Sequence, residues 1–277
     1  MILCYGSVNP DLIHNIERFP SPGDDIPAES FALTYGGGGA NVAVCLAAWG
    51  AAAALAGHTL GEDPLADWLL ADLEGRGVDV ALIERRSDSE TPHTIVIVTP
   101  DGERTIIGSR YREVEWSTVS EETVSRAKAV VVDGYSREAG DRLAIMAGDS
   151  GVPVVGLDVS RETAKACRVV VWSRHEHAVS EVASLPTVII TDGPRPVLVL
   201  EAGNTWELTP PAVQARNAVG AGDAFGAMCA LGTAEAWSLE DTVRRAAAAG
   251  ALVAASDRED PPPALEEVEE LAKTLLT

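Results

Sequence analysis

Basic residues are scarce in this sequence. Lys and Arg number 21 against 42 Asp and Glu, a formal charge of −21 over 277 residues. A surface of that sign repels phosphate backbones and anionic lipid, which argues against nucleic acid or membrane as a partner. Any anionic small molecule must be held by local features, such as helix N-termini or a few arginines, against the global field. Long apolar runs are also missing. None reaches the ~18–20 residues needed to cross a bilayer. The apolar start Met1–Gly6 has no basic flank and is too short for a signal peptide, so it reads as a first buried strand. Cys4, Cys45, Cys167 and Cys229 stand far apart in apolar surroundings with no metal or redox spacing. They read as small buried hydrophobes in a reducing compartment, and a cytoplasmic location is expected. Two nucleotide signatures are absent as well. There is no Walker A sequence, and no Gly-x-Gly-x-x-Gly follows the first strand, which disfavours a dinucleotide dehydrogenase.

What is present is an alternation of strand-like and helix-like runs. Val130–Val132, Val152–Leu157, Val169–Trp172 and Val188–Thr191 are short, β-branched apolar runs of the buried parallel kind. Helix-length segments lie between most of them, Glu138–Ser150 for example. Pro64–Arg76 is amphipathic, with proline at its start and Gly75 and Gly77 near its end. Gly39–Gly50 reads as a small-residue helix, and Ala51–Ala54 as a helix-forming or close-packing stretch. The rhythm predicts one doubly wound α/β domain over residues 1–277. Two stretches break it. Phe19–Tyr35 alternates apolar residues among Pro, Gly and Asp. Thr94–Val98, Asp101-Gly102 and Arg104–Ile107 read as a hairpin. Strands within 12–35 and 91–110 are therefore expected to pair into a small β lid, whose open edge invites a second copy and hence a homodimer.

Three glycine-bearing segments carry the chemistry. In Gly220-Ala221-Gly222-Asp223, bare backbone N–H groups at a helix start can face an anion, and the helix N-terminus adds about half a positive charge. Asp223 beside them could accept a proton from an attacking alcohol. The residues alone equally allow a plain turn with an N-terminal helix carboxylate. Gly36-Gly37-Gly38-Gly39-Ala40-Asn41 permits close backbone approach, and Asn41 offers a donor and an acceptor to a hydroxyl pair. It also reads as a hinge. Asn9 and Asp11, just past the first strand, lie at the edge where open α/β sheets bind ligands, although Asn-Pro-Asp is ordinary turn chemistry too.

In this order the three segments resemble the PfkB (ribokinase-like) carbohydrate kinase family. The early Gly-x-x-Asn-x-Asp stands at Gly6–Asp11, the Gly-Gly-x-Gly-Ala-Asn at Gly36–Asn41 and the Gly-Ala-Gly-Asp-x-Phe at Gly220–Phe225. Weaker echoes are Gly61-Glu62-Asp63, Asp101–Arg104, Asp158–Arg161 and Thr191-Asp192-Gly193. The resemblance covers nearly the whole chain. It implies a three-layer α/β/α core with a mostly parallel sheet and a β lid, ATP as donor, Mg²⁺, and transfer to a hydroxymethyl group of a small sugar or sugar acid. By position it implies Asp223 as catalytic base, with Gly220, Ala221 and Gly222 as the anion hole. Asn9, Asp11, Gly37 and Asn41 become acceptor contacts, Thr191, Gly193 and Asn217 nucleotide contacts, and Glu176 the Mg²⁺-linked carboxylate. Departures stand at Asn217-Ala218-Val219, where the family often has Asp-Thr-Thr, at Ser173, where it has Asn, and at Pro196, where it has Gly. Alternatives of the same fold are a nucleoside kinase and a non-catalytic sugar- or nucleotide-binding relative. A nucleoside needs an apolar or aromatic wall, and only Phe19, Phe31 and Tyr35 fall in the lid segments. Trp68, Trp116, Trp206 and Trp237 read as packing rather than as sugar platforms. Arg104, Arg110 and Arg112 read as surface charge, or else as a clamp for an acid or phosphate on the acceptor. His175-Glu176-His177 does not share a helix face and reads poorly as a metal site.

Overall fold

The computed structural model describes residues 1–100, 104–109, 114–174, 185, 187–216, 219–257 and 260–275. In chain order the elements are β1 (Ile2–Gly6), β2 (Asn9–Asn15), β3 (Ser30–Gly36), α1 (Gly38–Ala48), β4 (Ala53–Gly57), β5 (Leu60–Gly61), α2 (Pro64–Gly75), β6 (Arg85–Arg86), β7 (His93–Val98), β8 (Arg104–Ser109), α3 (Glu121–Ser125), β9 (Ala129–Asp133), α4 (Arg137–Asp149), β10 (Val154–Leu157), α5 (Arg161–Ala164), β11 (Val169–Ser173), β12 (Thr187–Thr191), β13 (Val197–Glu201), β14 (Asn204–Leu208), α6 (Ala221–Ala234), α7 (Leu239–Ala255) and α8 (Leu265–Ala272).

Eight strands form the main sheet in the order β14-β13-β12-β11-β10-β9-β1-β4. The pairs from β12 to β4 are parallel, and the β13–β14 hairpin adds an antiparallel edge. Both faces are buried, which is why these strands read as continuous apolar runs. Along β1, Ile2 and Cys4 join Leu46 of α1, Leu69 of α2, Met228 of α6 and Val243 of α7 on one face. Leu3 and Tyr5 join Val124 of α3 and Leu143 of α4 on the other. The result is three layers. All four cysteines are buried and free, and burial pushes the thiols of Cys4, Cys167 and Cys229 upward, as inert hydrophobes require. No helix among the described residues is long and apolar enough to cross a membrane.

At one stretch the close-packing reading holds and the helical one fails. Ala53 and Ala54, expected in a helix or a close-packed segment, lie in β4, with Ala53 opposite Ile2 and Ala54 opposite Leu3. Packing decides this against propensity: β4 is buried on both faces, and small side chains let α1 lie close to it.

A second sheet, β3-β2-β7-β8, rises from the carboxyl end of β1. β2 and β3 are antiparallel, β2 and β7 parallel, β7 and β8 antiparallel. Its two faces differ. Asn9, Asp11, Ile13 and Asn15 of β2, with Thr94, Val96 and Val98 of β7 and Arg104 and Ile106 of β8, look into a cleft against the core. The opposite face packs its inner end on α2, where the Arg76 guanidinium lies 4.6 Å from the Tyr35 ring centre, and pairs His14 with Phe31 further out. β5 and β6 form a two-stranded ladder beside α2.

Candidate active site

Strand order reverses at β1. The next core strand, β4, lies on one side of it, while β9 to β12 build outward on the other. Such a switch point leaves a crevice at the carboxyl ends of the flanking strands. Here a cleft of about 1400 Å³ opens at that place, roofed by the second sheet.

Its floor is made by backbone approaches that only glycine allows. Gly37 has φ 91, and a Cβ there would stand 2.4 Å from the Ser7 carbonyl oxygen. A Cβ on Gly39 would meet the Gly6 backbone at 2.8 Å. The glycines thus bring the start of α1 onto the end of β1. Ser7 fastens the junction: its Oγ accepts from the Gly38 N–H at 2.9 Å and donates to Asp133 Oδ2 at 2.9 Å. Asp133, fully enclosed at the end of β9, also accepts from the Ser7 N–H at 2.7 Å and from the Ser136 N–H at 3.1 Å. Burial raises its carboxyl above the usual range, against the lowering effect of these donors. The sequence reading missed Asp133. Its signal was available, a carboxylate immediately after the apolar run Val130–Val132 and so at a strand's carboxyl end.

The acceptor candidates assemble in the cleft. Asn9 Nδ2 donates to Asp11 Oδ1 at 2.7 Å and to Thr94 Oγ1 at 3.1 Å, forming a polar patch on the inner row of the second sheet. Asn9 and Asp11 are strand residues of β2 rather than turn residues. Gly37 and Asn41 line the same cleft. Asn41 Nδ2 donates to Asp223 Oδ2 at 2.7 Å, so the proposed base stands directly beside the proposed acceptor site, 182 residues away in sequence.

Asp223 lies in the first turn of α6. Gly220 caps that helix with φ 83 and no side-chain hydrogen bond, and a Cβ on Gly222 would meet nothing within 4 Å. The first N–H groups of a helix have no intrahelical partner. Exposed amides, an open surface over Gly222 and the positive helix end make a cradle that fits the phosphates of a nucleotide.

Two other residue types line the cleft unexpectedly. His58, at the end of β4, is 1% exposed. Its Nε2 accepts from the Val8 N–H at 3.3 Å, so Nδ1 carries the proton toward the Thr59 carbonyl at 3.2 Å. Burial drives this imidazole down to about 4. Trp116, expected as packing alone, packs edge-on against His58 at 5.6 Å and also faces the cleft. Nothing in local sequence marks either one, because both arrive through strand pairing and a long connection.

The nucleotide candidates sit elsewhere. Thr191 ends β12, and Gly193 follows in an exposed turn with φ 57. The intervening Asp192 is buried between Arg174 at 3.0 Å and Arg195 at 2.7 Å. Four strand spacings separate β12 from β1, about 19 Å at the usual spacing, a span that an extended nucleoside triphosphate can bridge. Asn217 and Glu176 lie outside the described residues, as do Arg110, Arg112 and His175–His177. Among the described residues no group of three or more His, Cys, Asp or Glu could hold a metal ion, so no place for Mg²⁺ is assigned.

The family model for pfkB family carbohydrate kinases matches residues 1–173 and 173–262. The chain belongs to this family. Ribokinase of Arabidopsis thaliana is 27% identical over 280 residues, covering 89% of this chain and 74% of that protein. An ATP-dependent ribose-1-phosphate kinase of Halopiger xanaduensis is 27% identical over 155 residues, 55% of this chain and 52% of its own length. The structure of the Arabidopsis ribokinase with ribose and ATP superposes with a TM-score of 0.83 at 24% identity, over 98% of each chain. This pfkB-family kinase therefore has the ribokinase-like fold, a large mostly parallel sheet with a smaller second sheet, and is a carbohydrate kinase by family.

Proposed function

We propose that this kinase moves the terminal phosphoryl group of ATP to a hydroxymethyl group of a small sugar or sugar acid. The observation that supports the reading is the Asn41–Asp223 hydrogen bond at 2.7 Å, between a residue lining the cleft and a carboxylate in the first turn of α6. The acceptor lies against Asn9, Asp11, Gly37 and Asn41. Asp223 takes the hydroxyl proton as the acceptor oxygen bonds to phosphorus, and the bond from phosphorus to the ADP oxygen breaks with its electron pair leaving on ADP. The amides of Gly220, Ala221 and Gly222 stabilise charge on the transferring group. Thr191, Gly193 and Asn217 are the proposed contacts to the rest of the nucleotide, and Glu176 the carboxylate that works with Mg²⁺, which compensates phosphate charge when bound. Ile106 and Ile107 are exposed on β8, the open edge of the second sheet, and support pairing of two such sheets in a homodimer.

Asp223→Asn tests the base. Turnover, followed as ADP release, is expected to fall by about 10³-fold or more, with ATP affinity nearly unchanged. Equal turnover of variant and parent would remove Asp223 from the role. The acceptor panel is ribose, fructose, 2-keto-3-deoxygluconate, adenosine, cytidine and ribose 1-phosphate. Ribose and ribose 1-phosphate correspond to the names of the two relatives above.

A further inference from the structure

Arg137 breaks two local rules at once. Its backbone has φ 46 and ψ −131, a region that glycine enters freely and other residues enter only under constraint. It also opens α4, where the positive helix end favours carboxylates over guanidinium groups. Several arginines pair with acids, Arg76 with Asp72, Arg85 with Asp67 and Arg216 with Asp257, while Arg142, Arg161 and Arg168 share with Arg137 the lack of an ion pair among the described residues. The Arg137 side chain makes no hydrogen bond or ion pair among the described residues, although the chain holds 42 acidic residues. Places where local preferences are overridden without compensation are where binding is to be sought.

Its position supplies the reason. Arg137 lines the acceptor cleft. The turn that presents it is rigid: the Asp133 carboxylate holds the Ser136 N–H, the Ser136 hydroxyl donates to the Asp133 carbonyl at 2.6 Å, and a Cβ on Gly134 would meet the Asp158 carbonyl at 2.1 Å. α4 packs on the face of the main sheet opposite to α6. Arg137 therefore enters the cleft from the side away from the Gly220–Gly222 cradle and is suited to the acceptor rather than to the nucleotide phosphates. Across the cleft, Arg104 adds a second guanidinium from the inward face of β8.

We propose that the acceptor carries an anionic group, a phosphate monoester or a carboxylate, and that Arg137 binds it from the α4 side of the cleft, across the sheet from α6. This rests on the reading of the cleft as the acceptor site. In a protein of charge −21, a neutral sugar needs no cation in the cleft, whereas an acidic one must be drawn in against the field.

The test compares kcat/KM for matched acceptors, ribose against ribose 1-phosphate and fructose against 2-keto-3-deoxygluconate, in the parent, Arg137→Ala and Arg137→Gly. Glycine suits the backbone at this position, so that variant is expected to fold with an unchanged or higher Tm. The parent should prefer one anionic acceptor over its neutral partner by about 100-fold, and which pair shows it separates phosphate from carboxylate. Both variants should reduce that ratio to within about threefold of unity through the acceptor KM, with the KM for ATP unmoved. A parent that prefers the neutral partners, a ratio that survives both substitutions, or a shift in the ATP KM instead would overturn the proposal. If no acceptor is turned over, the kinase reading fails separately. Calorimetric titration with ribose 1-phosphate and 2-keto-3-deoxygluconate then decides: binding lost in Arg137→Gly upholds the anion site, and no binding by the parent refutes it.

Discussion

At the scale of single residues, the site is built by side chains that fix one another before any ligand arrives. Asn41 was read as an acceptor contact, and the structure shows it holding Asp223 as well. Asp133 never touches the proposed base, yet it ties Ser7, and through Ser7 the start of α1, to the end of β1. His58 carries a measurable consequence of such burial. Its folded pKa is depressed to about 4 from 6.5 because the charged form is desolvated. Between these values the unfolded chain binds a proton that the folded one refuses, so the contribution to stability is complete above pH 6.5 and is lost as pH falls toward 4. The shift corresponds to about 3 kcal/mol. Urea titrations of the parent and His58→Gln are expected to show a stability difference that changes by about that amount across this range. A difference that does not vary with pH would contradict the assignment.

At the scale of elements, α6 is the component on which the proposed phosphoryl transfer depends. Gly222 gives no packing reason for being glycine, since a methyl there would meet only open space. Gly222→Ala should therefore fold as well as the parent or gain up to about 1 kcal/mol in helix propensity. With the phosphates at this helix start, as proposed, the added methyl crowds them, and the KM for ATP should rise by about tenfold or more. A thermal melt together with ATP kinetics measures both, and an unaltered KM for ATP would place the phosphates elsewhere. β2 shows how an element can be half legible. The polar residues at 9 and 11 were visible, but their alternation with Pro10 and Leu12 was masked by turn-like composition, and only pairing with β3 and β7 reveals a strand. β4 was illegible for a different reason, because its alanines favour helix and only burial between α1 and β1 makes them strand.

At the scale of the whole molecule, charge dominates. Self-repulsion among 42 acids offset by 21 bases opposes the compact state, and salt screens it over a Debye length of about 10 Å at 0.1 M. Raising KCl from about 0.05 M to about 1 M is expected to raise Tm by about 5 °C or more, read by scanning calorimetry. A Tm that is flat or falling over that range would show that the acids are already compensated by their local partners. The same field bears on the proposed reaction, in which ATP and an acidic acceptor both enter against it.

The sequence by itself determined the layered α/β core, through apolar runs at strand length separated by helices, and the three glycine-rich segments, because close backbone approach leaves few residue choices. Tertiary structure alone decided what those segments face. Asn41 meeting Asp223, Trp116 and His58 turning into the cleft, Phe31 and Tyr35 turning away from it, and Arg137 reaching the cleft all depend on strand order and on which face of a pleat or which helix start a residue occupies. Those relations join residues far apart in the chain, and no local pattern of propensity or period encodes them.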